Sequence, residues 1–94
     1  MEYYAIFRRN AFEASELEAV DARSNTELDR RADHVRKIRS YVLDEEDGRV
    51  GTVCLYQADS PEAIHAHAEA ADLPVDEIVR IGGIDVHRAD PDKG

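Results

Sequence analysis

Ninety-four residues support one hydrophobic core and no second domain, and a chain this short buries only about 60–65% of its unfolded surface, which favours association with another copy. Twelve Lys and Arg against 21 Asp and Glu give a net charge of −9, which repels a phosphate backbone and argues against nucleic acid as a partner. No apolar run approaches the ~18 residues of a membrane span, and Cys54 as the single cysteine rules out an internal disulfide, so a cytoplasmic protein is expected.

Tyr3 to Phe7 is aromatic and apolar on both parities, as in a central strand covered on both faces. Ser15-Glu16-Leu17-Glu18 has the spacing of a capping box and opens a helix whose Leu17, Val20, Ser24 and Leu28 fall on one stripe. Val35 to Leu43 alternates as a strand, Asp47-Gly48 centres a turn, and Val50 to Tyr56 returns. An even-membered loop centred on that turn sets Val42 opposite Val53 and Ser40 opposite Leu55 on one face. It sets Tyr41 opposite Cys54 and Arg39 opposite Tyr56 on the other.

Ser60-Pro61-Glu62 opens a second helix, with serine as N-cap and proline at the first helical position, and Leu73-Pro74 closes it. Ile64, Ala68 and Ala71 make its narrow apolar stripe. Val79 to Val86 reads as the last strand, with Gly82-Gly83 as a bulge or a close backbone approach. Residues 1–87 then form the domain, and 88–94 a polar, mobile tail.

This β-α-β-β-α-β order predicts a ferredoxin-like α+β fold: a four-stranded antiparallel sheet with both helices on one face. The register above puts Val42, Val53 and Leu55 under the helices and leaves Tyr41, Cys54 and Tyr56 on the open face. An open face of that kind is an exposed apolar patch, and a two-fold homodimer stacking the open faces is the expected remedy.

His65-Ala66-His67 suggests a chelating pair, but helix residues two apart point about 200° away from each other, so only one imidazole can serve a given ion. His67 lies beside the apolar stripe and is the candidate ligand; a buried imidazole satisfied by a backbone carbonyl is the structural alternative. His34, His65 and His87 read as surface or loop residues. Cys54 is a soft donor in principle and otherwise a small buried apolar residue, and on the predicted register it sits across the sheet from His67. The turn Asp44-Glu45-Glu46-Asp47 reads as solvated charge. No phosphate-binding glycine loop, HExxH pair or GxSxG turn occurs, so no catalytic constellation is recognised.

Arg39-Ser40-Tyr41-Val42, Cys54-Leu55-Tyr56-Gln57-Ala58, His67-Ala68, Asp72-Leu73-Pro74 and the Ser24-Asn25 step together resemble a family of small ferredoxin-like proteins of unknown function. One branch of that family comprises dimeric, nickel-binding, nickel-responsive bacterial proteins. The resemblance covers almost the whole chain in element order. It marks Ser24, Tyr41, Cys54 and His67 as matching positions and implies a homodimer that binds nickel or a similar divalent metal. The chain departs from the family pattern at Lys37, where tryptophan is frequent, and at Asp72, where glycine is. Three functions compete: a metal-binding module using His67 and then Cys54; a small-molecule or enzymatic dimer with a cavity between the two packed sheets, lined by Tyr41, Cys54 and Tyr56; and an interaction protein without a ligand.

Overall fold

The computed structural model describes residues 1–91. Its elements are β1 (Glu2–Glu13), a 3₁₀ turn (Ala14–Glu16), α1 (Leu17–Arg30), β2 (Val35–Asp44), β3 (Arg49–Ala58), α2 (Pro61–Ala70) and β4 (Glu77–Ile81). The strands form one antiparallel sheet in the order β2-β3-β1-β4. This is the expected ferredoxin-like α+β arrangement.

The local signals act close to where the sequence puts them, with instructive shifts. The capping box is made by Glu13 and Glu16 in place of Ser15 and Glu18: the Glu13 N–H donates to Glu16 Oε1 at 2.9 Å, and the 3₁₀ turn leads into α1. Val20, Ser24 and Leu28 form the buried stripe of α1. In α2 the Ser60 hydroxyl accepts the Ala63 N–H at 3.3 Å, and Ile64, His67 and Ala68 face inward. The helix ends in a Schellman motif, with Leu73 N–H donating to the Ala68 carbonyl at 2.8 Å and Asp72 N–H to that of Glu69 at 3.2 Å. Asp72 thereby occupies the left-handed position, φ 57°, that glycine fills most readily. Strand β4 stops at Ile81, short of Gly82-Gly83, around which there is open space and no close approach.

The β2–β3 register differs from expectation by one residue. Asp47 and Gly48 do form the turn, both with positive φ, and Arg49 N–H donates to the Glu46 carbonyl at 3.1 Å. The next bond runs from Glu45 N–H to the Arg49 carbonyl, so Glu45 and Glu46 both stand against Arg49, and the ladder continues with Asp44 opposite Val50. Ser40 therefore pairs with Cys54, and Tyr41 with Val53. This moves Cys54 and Tyr56 beneath the helices and Val53 and Leu55 onto the open face, reversing the assignment predicted for all four. Val42 and Tyr41 stay on the faces expected for them. A second bulge at Ile38 switches parity again, which lets Lys37 and Val35 take the helix side.

The core lies between sheet and helices as two apolar clusters. One contains Tyr4, Ile6, Leu28, Val35, Tyr56 and Ile64 with Cys54 and Ala58; the other contains Phe12, Val20 and Val50, with Leu17 and Leu73 packed on it. The cross-strand pair Arg8–Thr52 sits between them in the β1–β3 ladder, after Ile6–Cys54 and before Phe12–Val50. On the open face stand Tyr3, Phe7, Tyr41, Val53, Leu55 and Val79. The segment after β4 returns to the opposite edge, where Asp90 Oδ2 accepts Arg39 Nη1 and Tyr41 Oη, each at 2.7 Å. That part of the expected mobile tail is tied to β2; residues 92–94 lie outside the described residues.

Between Arg8 and Phe12, β1 inserts Arg9, Asn10 and Ala11 opposite the single residue Gly51. A Cβ on Gly51 would overlap the Arg8 carbonyl oxygen and lie 2.7 Å from Glu45 Oε1, so this bulge requires glycine. Gly51→Ala is expected to lower stability by more than about 2 kcal/mol in urea denaturation, against less than about 0.5 kcal/mol for Gly82→Ala, whose Cβ meets nothing.

Candidate functional site

Alternation along β1 puts Arg8 on the same face as Tyr4 and Ile6, where the helices roof it and leave it 2% exposed. Its Nε donates to the Pro74 carbonyl at 2.8 Å and its Nη1 approaches Cys54 Sγ at 3.5 Å, while Nη2 has no hydrogen-bond partner. Opposite it, the buried Thr52 Oγ1 is also unpartnered. Burying a guanidinium away from any carboxylate costs several kcal/mol unless something compensates it.

Around this pair lie the residues singled out on β3, α1 and α2. The Ser40 hydroxyl donates to Cys54 Sγ at 3.0 Å. The Tyr56 ring lies 5.7 Å from that of His67, tilted by 32°, and burial raises the Tyr56 phenol above its usual range. His67 is fully buried, its Nε2 is 3.3 Å from Ser24 Oγ, and its Nδ1 has no partner. Burial first, then the positive charges of Arg8, Arg31 and Lys37, push the imidazole down to about 4 against the opposing pull of Glu27, so it is neutral at physiological pH.

Arg8, Thr52, Cys54, Tyr56 and Ser24 line a solvent-connected chamber of about 510 Å³ under α1, with Phe12, Val20 and Val42 as apolar wall. His67 borders it through Ser24 and Tyr56. Glu18, Asp21 and Lys37 also line it, with Lys37 Nζ 2.9 Å from Asp21 Oδ1. The volume falls in the range of small-molecule sites.

Four of the five candidate residues, Ser24, Cys54, Tyr56 and His67, thus come together. The separation expected between His67 and Cys54 is removed by the shifted register. Tyr41 alone stays on the open face, bonded to Asp90. Arg8 and Thr52 lie outside the residues that the sequence marks, although a lone arginine on the inward parity of an aromatic strand is a readable signal. His34 pairs with Asp59 at 2.8 Å, and His65 and His87 are exposed. In the acidic turn, Glu45 is no free charge: it accepts Arg9 at 2.7 and 3.0 Å and the Asn10 N–H at 3.0 Å. These contacts, led by Arg9, hold its carboxyl at about 2.

The family model described as nickel responsive protein SCO4226-like matches residues 4–81, which span both helices and all four strands. The chain belongs to the SCO4226-like family. Among solved structures it is similar to SCO4226 from Streptomyces coelicolor A3(2), at 19% identity and a TM-score of 0.69 over 88% of this chain and 99% of that one, a likeness of fold. No curated protein sequence matches it.

Nickel can be tested against the donor set itself. Among the described residues no group of three His, Cys, Asp or Glu side chains comes together. Cys54 Sγ and His67 Nε2 already have protein partners, and a buried guanidinium stands beside the sulfur. The described residues of one chain therefore do not fit a closed metal centre, which takes about four ligands without a neighbouring cation.

The displaced titration of His67 carries a sign. Its unfolded value is near 6.5 and its folded value about 4, so between them the unfolded chain binds a proton that the native chain refuses. Stability is complete above about pH 6.5 and falls as pH drops through this window. Urea unfolding is expected to show a loss of about 2 kcal/mol between about pH 7 and pH 5, and His67→Gln is expected to remove most of that slope.

Proposed function

We propose that this protein is a homodimeric, non-catalytic binding module whose working site is the chamber under α1, with Arg8, Thr52, Cys54, Tyr56 and Ser24 around a small-molecule ligand. The observation that carries the reading is a buried, carboxylate-free guanidinium on the wall of a solvent-connected chamber beside a second orphaned donor. Binding is favoured over turnover because, among the described residues, no hydrogen bond joins Cys54 to His67 and no carboxylate orients that imidazole. The homodimer is supported by the apolar open face, where Tyr3, Tyr41 and Val79 are exposed beside Phe7, Val53 and Leu55.

Nickel, the ion in the family description, is the second reading, favoured by the neutral His67 with its unpartnered Nδ1. It would use His67 and Cys54 and would need further ligands from outside the chain. Calorimetric titration with nickel and zinc, with sedimentation of the same samples, separates the readings. The chamber reading expects no saturable heat below about 1 mM ion. It also expects twice the chain mass in sedimentation, reduced to the monomer by Leu55→Glu on the open face. Tight stoichiometric nickel binding that His67→Ala abolishes would establish the second reading instead.

A further inference from the structure

The chamber is mostly apolar and yet holds a built set of donors. Arg8 and Thr52 face each other directly across β1 and β3, so the guanidinium and the hydroxyl stand side by side on one wall. Among the described residues no carboxylate lies within ion-pair distance of Arg8; its partners are a carbonyl and a sulfur, and Nη2 has none. The fold thus meets the desolvation cost of a buried cation and supplies no anion of its own. A ligand that brings the anion would recover that cost, and its second oxygen would satisfy Thr52 Oγ1.

Charge decides which anion. Arg8 offers one unpaired positive charge, since Lys37 is already paired with Asp21. Glu18 and Asp21 also line the chamber, and the whole chain carries −9. A dianion such as a phosphoryl group would enter against these carboxylates with only one guanidinium to hold it, whereas a monoanion is matched. The wall of Phe12, Val20, Val42 and Tyr56 asks for an apolar body behind the charge.

From this we infer that the chamber binds a small amphiphilic monocarboxylate, its carboxylate clamped by Arg8 and Thr52 and its aromatic or aliphatic body lying against Phe12, Val20 and Tyr56. This inference rests on the reading of the chamber as the working site and assigns it a ligand class.

The test is a titration of the full-length protein, followed by backbone amide NMR, with phenylacetate, hexanoate, phenylacetamide and inorganic phosphate. Phenylacetate or hexanoate is expected to saturate below about 1 mM and to shift the amides of Arg8, Ser24, Thr52 and Cys54. The neutral amide and phosphate are expected to bind at least about tenfold more weakly. Arg8→Gln should abolish carboxylate binding. Thr52→Val, close to isosteric, should weaken it several-fold and keeps the test open if the arginine variant does not fold. Equal affinity for phenylacetate and phenylacetamide, or tighter binding of phosphate, would overturn the monocarboxylate and leave the chamber as a site. No saturation by either acid, by the amide or by phosphate up to about 10 mM would overturn both.

Discussion

Two residues, Glu45 and Glu46, oppose one, Arg49, at the tip of the β2–β3 hairpin, and which residues of β2 and β3 share a face follows from that extra residue. Side chains alternate strictly along a strand, so a shift of one residue exchanges the two faces. With the bulge, Cys54 and Tyr56, paired with Ile6 and Tyr4 of β1, lie under the helices while Tyr41 faces the open side; without it they would share a face with Tyr41. The bulge is held by its neighbours. Glu45 reaches across to Arg9 and the Asn10 N–H in the irregular part of β1, and Gly51 leaves the space that this crossing needs. A surface ion pair contributes little in isolation. Here Glu45 joins two bulges on different strands, so its contacts fix geometry more than they add stability.

That geometry places a polar rung, Arg8–Thr52, through the middle of the core and splits the apolar packing in two. A continuous hydrophobic core would be the more stable solution for a chain of this size. Neutral His67 and unpaired Arg8 are both costs of desolvation. They stand within one small region at the chamber, where a binding site is expected to depart from optimal packing.

The sequence made the architecture legible because its signals are redundant. Ser60-Pro61 at a helix start, the Val20, Ser24 and Leu28 stripe, and a turn at Asp47-Gly48 each point to the same βαββαβ order. The candidate site was legible as a set of residues and not as a place. Ser24, Cys54, Tyr56 and His67 were singled out, but whether they meet depends on a bulge that adds one residue and leaves no mark in the hydrophobic pattern, since Val53 and Leu55 are as apolar as Cys54 and Tyr56. Arg8 is hidden for a related reason: beside Arg9 and Asn10 it looks like the end of a strand, and only the length of β1, which continues to Glu13, makes it central. Tyr41 belonged to the same motif, and adjacency in sequence put it on the opposite face from Ser40.

The central claim is that this hairpin register brings β3 residues Cys54 and Tyr56 under the helices. Proton NOE spectroscopy tests it most directly, because the His67 and Tyr56 ring centroids are 5.7 Å apart. The account predicts cross-peaks from the His67 imidazole to the Tyr56 ring and to Ser24, and none from His67 to Leu55 or Tyr41. Cross-peaks between Leu55 and α2, with Tyr56 seeing only Tyr41 and its open-face neighbours, would contradict the register and the chamber built on it.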